Sequence, residues 1–347
     1  MAKLGEICSL KAGKFVSANN IFSDYKQGLY PCFGGNGIRG YVSDYTHDGE
    51  FPLIGRQGAL CGNINLASGK FHATEHAVVV QPKISMNIHW LYYALTAMNL
   101  GQYATGAAQP GLAVSKLETL PIAVPSRPTQ DKVEKSLSQI EKLLSLRKQQ
   151  LTKLDELVKA RFAEMFGEPM SNPMGWKRVR FDSISENLDS KRVPVTESDR
   201  KDGIYPYYGA SGIVDWINDY IFDEDILLVS EDGANLLMRS TPIAFSVSGK
   251  SWVNNHAHVV RFHDFATQKF IEVYFSLIDI SEYITGTAQP KLNQAKLNAM
   301  LFCWPPLALQ NQFAAFVECV DQQKQTVQQS LEKLELMKKA LMQEYFG

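Results

Sequence analysis

The sequence predicts an α+β chain built as two duplicated globules, each followed by a long heptad helix, with the two helices forming an antiparallel pair. Three observations carry this. Blocks of residues return once along the 347-residue chain, short β-rich runs alternate with Gly/Asn/Ser turns in each copy, and each copy closes on apolar residues at heptad spacing.

The repeat comes first. Thr105-Gly106-Ala107-Ala108-Gln109-Pro110-Gly111-Leu112 returns as Thr285-Gly286-Thr287-Ala288-Gln289-Pro290-Lys291-Leu292, displaced by 180 positions. The same displacement carries His76-Ala77-Val78-Val79-Val80 onto His256-Ala257-His258-Val259-Val260. Nearer each start, Tyr30-Pro31-Cys32-Phe33-Gly34-Gly35-Asn36-Gly37-Ile38 matches Tyr205-Pro206-Tyr207-Tyr208-Gly209-Ala210-Ser211-Gly212-Ile213 at a displacement of 175, so the second copy gains five residues between the blocks. A unit of this size is a duplicated domain rather than a solenoid repeat.

The globules, residues 1–128 and 169–308, mix runs such as Ala77–Val80 and Ile226–Val229 with turn residues. One helix interrupts each: Asn87 is a fitting N-cap for Ile88–Leu100, and Lys269–Ile280 is its counterpart. Both copies close on a Pro-flanked strand, Leu120–Pro125 and Leu301–Pro305. Gln109-Pro110 and Gln289-Pro290 recur in both copies, which assigns them to architecture, joining globule to helix.

Residues 129–168 and 309–347 read as helices. In the first, Val133, Leu137, Ile140, Leu144, Leu151, Leu154 and Val158 step by fours and threes, with Arg147 at one seam position. In the second, Phe313, Val317, Val320, Val327, Leu331, Leu334 and Leu341 keep the same phase, with Lys324 and Lys338 as polar interruptions. A lone heptad helix cannot bury its stripe, so the two are expected to pair with each other. An antiparallel pair about 50 Å long, with a globule at either end and internal pseudo-twofold symmetry, satisfies the connectivity.

Composition narrows the functional classes. Lys and Arg number 35 against 36 Asp and Glu, a net charge of −1, which does not suit a strong solitary DNA binder. The apolar runs are far too short to span a membrane, the N-terminus shows no export signal, and the cytoplasm is the default. Five scattered cysteines with no Cys-x-x-Cys pair read as reduced filler.

Catalytic motifs are missing. Ser248-Gly249-Lys250-Ser251 ends like a phosphate loop, but Ala244 stands where the first glycine belongs. Asn172-Pro173-Met174-Gly175 lacks the second Pro and the aromatic of an amino-methyltransferase motif and reads as the turn into the second globule. Of the seven histidines only His256, His258 and His263 approach metal-ligand spacing, and alternate strand residues of this kind more often have one member buried and one exposed, so no metal is expected. The equivalent His76 and His256 are read as hydrogen-bonded core imidazoles.

Two globules with long heptad helices and Thr-Gly-x-Ala-Gln-Pro before a Pro-flanked strand resemble the specificity subunits of Type I restriction-modification systems. The second copy is most similar, through Leu188–Val195, Asp202–Ile213 and Ile226–Ala234, with Leu53–Ala59 as a weaker equivalent in the first. The resemblance implies a non-catalytic reader of double-stranded DNA whose two target recognition domains each take one half of a split, asymmetric target. It implies that the helices set the spacing and dock two methyltransferase subunits, and it admits two restriction/translocase subunits as further partners. It also implies no cofactor in this chain, since S-adenosylmethionine, ATP and Mg would belong to partner subunits. A coiled-coil scaffold without a nucleic-acid role is the competing reading, and it leaves the diversified polar turns unexplained.

The duplication sorts the candidate contacts. Residues shared by the copies should hold the framework, whereas differing polar residues in matched turns are candidates for reading bases. Arg56-Gln57 align with Glu231-Asp232 before a shared Gly-Ala, and Arg pairs with guanine, Gln with adenine and Glu or Asp with cytosine. Asn36, Arg39 and Ser211 in the Gly-rich turns follow, with Lys14, Lys191, Arg192 and Lys250 as phosphate candidates and Asn254 and Asn255 near base edges. Residues 1–130 carry ten basic against seven acidic residues, and 171–308 carry 13 against 17. The second globule therefore attracts phosphate poorly alone, and the partners are expected to supply most of the positive surface.

Overall fold

A computed structural model describes residues 1–106, 110–286 and 288–347. The chain divides into two compact units, Met1–Arg147 with Ser330–Gly347, and Lys148–Gln329.

The first unit contains strands β1 (Ala2–Lys3), β2 (Cys8–Ala12), β3 (Tyr30–Gly34), β4 (Gly37–Val42), β5 (His47–Asp48), β6 (Phe51–Gly55), β7 (Ile64–Ala67), β8 (Lys70–Ala73), β9 (Ala77–Pro82) and β10 (Pro121–Ile122). Its helices are α1 (Leu4–Ile7), α2 (Ile88–Ala97) and α3 (Val114–Glu118), and the long α4 starts here (Arg127–Phe166). One sheet has the order β2-β9-β6-β7 and another β4-β3-β8-β5, in which β3 and β8 run parallel. Alternation explains how the first sheet is buried on both faces. Ile54, Val78 and Val80 face α2 and the long helices, while Leu53 and Val79 face Phe33, Phe71 and Ala73 of the second sheet.

The second unit repeats this with β11 (Arg178–Arg180), β12 (Glu186–Asn187), β13 (Asp202–Gly209), β14 (Gly212–Ile217), β15 (Phe222–Asp223), β16 (Ile226–Ser230), β17 (Ala244–Val247), β18 (Lys250–Val253), β19 (Ala257–Arg261) and β20 (Leu301–Cys303). The orders β12-β19-β16-β17 and β14-β13-β18-β15 match the first unit strand for strand, down to the parallel β13 and β18. The extra residues of the second copy lie between β16 and β17, where they form the short helix α5 (Asn235–Met238). Helices α6 (Phe265–Leu277) and α7 (Gln294–Ala299) complete the globule ahead of the long α8 (Leu307–Phe346).

The long helices are 40 residues each and run antiparallel where they meet. In the first unit the end of α8 lies along the start of α4. Lys338 Nζ is 2.7 Å from Glu141 Oε1, and Leu341, Tyr345 and Phe346 pack on the cluster that holds Val133 and Leu137. In the second unit the start of α8 lies along the end of α4, with Phe313 on Phe162 and Phe166 and Lys324 paired to Asp155. Every seam residue is buried or half-buried, from Leu137 at 0% to the partly covered Leu144, Leu151, Leu334 and Leu341.

One glutamine fastens each long helix to its globule, and periodicity gave no hint of either. Gln130, 2% exposed, accepts from the Asn87 N–H and donates to Pro125 O. Gln310, fully buried, accepts from the Thr267 hydroxyl and donates to Pro305 O. Among the described residues no helix is long and apolar enough to cross a membrane.

Candidate nucleic-acid interface

Antiparallel pairing decides which loops share an end of each globule. In the first unit Gly55 of β6 stands opposite Ala77 of β9, so the residues beyond β6 and those before β9 emerge together. The Arg56 N–H donates to His76 O at 3.0 Å, Gly58 N–H to Pro110 O at 3.0 Å, and Leu112 N–H to Arg56 O at 2.9 Å. The β3–β4 hairpin joins them through Asn36 Oδ1, which accepts from Asn63 Nδ2 at 2.8 Å. Gly37, at φ +97°, makes the tight tip possible, since a side chain is strained there. Together these loops enclose an open depression of about 490 Å³, lined by Gly35, Asn36, Gly37, Ile38, Arg39, Gln57, Gly58, Leu60 and His76.

The second unit makes the same main-chain bonds with other side chains. Glu231 N–H donates to His256 O at 2.9 Å, Gly233 N–H to Pro290 O at 3.0 Å, and Leu292 N–H to Glu231 O at 2.8 Å. Asp232 follows, with both carboxylate oxygens 3.0 Å from His256 Nδ1. One backbone frame thus presents Asn36, Arg39 and Gln57 in one globule and Ser211, Val214 and Asp232 in the other.

The frame and its duplication agree with what the sequence matches. Residues 1–156 and 173–336 match the family described as the type I restriction modification DNA specificity domain. The chain belongs to this family. One curated relative is the type I restriction enzyme EcoprrI specificity subunit of Escherichia coli, 59% identical over 124 residues, which are 35% of this chain and 31% of that protein. Another is the putative type I restriction enzyme specificity subunit S.HindORF215P of Haemophilus influenzae, 31% identical over 145 residues, 42% of this chain and 37% of that one. The chain thus spans only about a third of the length of these curated relatives. Among solved structures, the S subunit of a type I restriction-modification system from M. genitalium shares the fold at a TM-score of 0.67 and 15% identity, covering 99% of this chain and 95% of that one. A chain from a study of complex assembly and conformational transition in the type I system gives 0.56 and 14%, covering 99% and 96%.

Within this specificity-domain framework the candidate residues separate. Asn36, Arg39 and Gln57 are exposed and share the depression, and Ser211 and Asn255 are exposed in the matching loops. Arg56 lies beside them half-buried, its Nε covered and without a hydrogen-bond partner among the described residues.

Other candidates are corrected. Glu231 and Arg192 are not at a solvated tip: they are 12% and 13% exposed and 2.7 Å apart in a covered ion network. Lys291 Nζ lies 3.0 Å from Glu231, and Arg192 also donates to Ala257 O at 2.7 Å. His258, 1% exposed, has Nδ1 2.6 Å from Asp189 Oδ2 and Nε2 2.7 Å from Leu292 O. Asp189, Glu231 and His258 are close enough together to suggest a cation site, but Arg192 and Lys291 already occupy the carboxylates. Burial works to raise Glu231, yet bonds from Arg192 and Lys291 with the charge of His258 hold it below the usual carboxylate range.

Asn254 is buried and spends its Oδ1 on the His256 N–H at 2.8 Å, which takes it from the base-edge group. Lys250 sits at the start of β18, 4.5 Å over the Tyr220 ring, as Lys70 sits 4.6 Å over Tyr45. A cation–π contact present in both copies is framework, and it stands at the strand end away from the loops. Lys14 and Lys191 are exposed, Lys14 held through its N–H to Ala73 O at 2.8 Å and Lys191 on a 3-10 turn, Asp189–Lys191.

Two framework assignments also change. His76 and His256 are not core imidazoles: their side chains are 36% and 50% exposed at the loop end, and the buried imidazoles among the described residues are His72 and His258. The shared Gln-Pro pairs do not join globule to helix, because Pro110 and Pro290 accept bonds from the loop cluster itself. Gln109 lies outside the described residues, while Gln289 is exposed. Strand polarity was the signal that could have located these histidines, since they immediately precede β9 and β19.

Proposed function

We propose that this chain is a non-catalytic DNA sequence-specificity subunit in which each globule reads one half of a bipartite, asymmetric target through its loop cluster. The single observation that carries this reading is the one frame with two side-chain sets: loops held by the same three main-chain bonds present Asn36, Arg39 and Gln57 in one globule and Ser211, Val214 and Asp232 in the other. A scaffold needs no such diversification, whereas a reader of two unlike half-sites does. The helix pair sets the distance between the halves and docks two methyltransferase subunits, with restriction/translocase subunits as further partners. These partners hold S-adenosylmethionine, ATP and Mg and supply the positive surface that a chain of net charge −1 lacks. The assembly works in the cytoplasm, where it meets chromosomal DNA.

The test is to express the chain with the methyltransferase of its own system and to sequence the methylated sites. The expected result is two short half-sites at a fixed separation, with the first altered in Arg39→Ala and the second retained. Methylation independent of this chain would overturn the proposal.

A further inference from the structure

Two exposed residue types occupy the same places in both loop clusters while their neighbours differ. Ile38 and Ile213, 56% and 47% exposed, follow the glycine of each hairpin tip. His76 and His256, 36% and 50% exposed, precede β9 and β19. In the first unit Ile38 and His76 line the same depression as Asn36, Arg39 and Gln57.

Each imidazole is tethered from one side. Glu75 Oε1 lies 3.3 Å from His76 Nε2, and Asp232 Oδ2 lies 3.0 Å from His256 Nδ1. A carboxylate on one ring nitrogen fixes the ring and leaves the other nitrogen to donate, in the imidazolium, to an anion. An exposed branched apolar side chain has no folding reason to recur at both hairpin tips. Residues common to two readers of unlike half-sites cannot be choosing the bases. What both half-sites share is the sugar–phosphate backbone.

We propose that His76 with Ile38, and His256 with Ile213, form a sequence-independent grip on duplex DNA, the imidazole donating to a phosphate oxygen and the isoleucine lying against the adjoining sugar. The inference rests on the reading of the chain as a two-headed DNA reader. Selection then falls to the residues that differ around each grip, Arg39 and Gln57 in one globule and Ser211 and Asn255 in the other.

The experiment uses the full chain co-purified with its own methyltransferase subunit and three duplexes: the native target, the target with one half scrambled, and a fully scrambled sequence. His76→Gln and His256→Gln are each expected to weaken binding to all three by about tenfold, the loss of a charge-assisted hydrogen bond. Each should also reduce the slope of log affinity against log salt by about 1. Ile38→Ala should weaken all three alike with the salt slope intact. Because these side chains are exposed, the melting temperature should not move. Unchanged affinity, or a loss confined to duplexes carrying one native half, would overturn the grip. A wild-type complex that bound the native and scrambled duplexes equally would instead overturn DNA reading itself, whatever the variants did.

Discussion

Arg192 and Glu231 lie 39 residues apart in sequence and 2.7 Å apart in space, each nearly covered, beneath the loop that carries Asp232. Among the described residues the first globule has no such pair, because Arg56 occupies the place of Glu231. Taking away one partner of a covered ion pair leaves the other charge stranded. Arg192→Ala is therefore expected to cost about 3–5 kcal/mol, read as a lowered denaturation midpoint of the second unit. A loss below about 1 kcal/mol would mean that the network behaves as a solvated surface pair.

Acid should act on the second globule first. Burial tends to raise Asp189, but the bond and charge of His258 and the Val259 N–H outweigh it and hold the carboxyl low, and Glu231 is held low as well. Groups depressed in the folded state contribute stability above their unfolded values, about 3.9 and 4.3, and lose it as pH falls from there through the folded values. Ala12, Arg56 and Val78 stand where Asp189, Glu231 and His258 do, so the first globule lacks this dependence. Hydrogen exchange between about pH 5 and 3 should release the amides of β16 and β19 before those of β6 and β9. Simultaneous release would contradict the assignment.

What could be read from the sequence was periodic or repeated. Val133 to Val158 and Phe313 to Leu341 signal their faces by spacing alone, and the duplication shows in blocks that return 175 to 180 residues further on. The direction of polar side chains was not legible. Arg192 and Glu231 look like solvated turn residues until strands far apart in sequence bring them together, and Asn254 looks like a reader until the His256 N–H takes its oxygen. Lys70 and Lys250, shared by the copies, each sit over a tyrosine ring, whereas His76 and His256, also shared, stand exposed at the loop end.

The helix pair separates packing from charge. Phe162, 1% exposed, stacks 5.3 Å from Phe270 and meets Phe313 edge-on at 5.5 Å. Phe162→Ala should cost about 3–5 kcal/mol, the range for emptying a core aromatic site. Lys338→Ala, which breaks a pair whose members are 36% and 35% exposed, should cost less than about 1 kcal/mol. Chemical denaturation of the two variants side by side checks the contrast, and equal losses would mean that the seam is held by its charges.

The seating of the first hairpin offers a test of readout in which no candidate reader is substituted. A Cβ at Gly55 would stand 2.1 Å from Gly35 O, so the hairpin rests on a backbone that only glycine permits. The equivalent Ser230 of the second globule is fully buried and donates its hydroxyl to Ala210 O, so there a side chain fills the same gap. Gly55→Ser should therefore push the first hairpin outward, strain the Asn36–Asn63 bond of 2.8 Å and cost about 1–3 kcal/mol. Asn36 and Arg39 travel with the hairpin, while Gln57, on the neighbouring loop, keeps its bonded frame. In methylated-site sequencing the first half-site should relax at the bases read from the hairpin and the second should stay as it was. A first half-site unaltered in a variant whose hairpin has moved would mean that Asn36 and Arg39 do not read DNA.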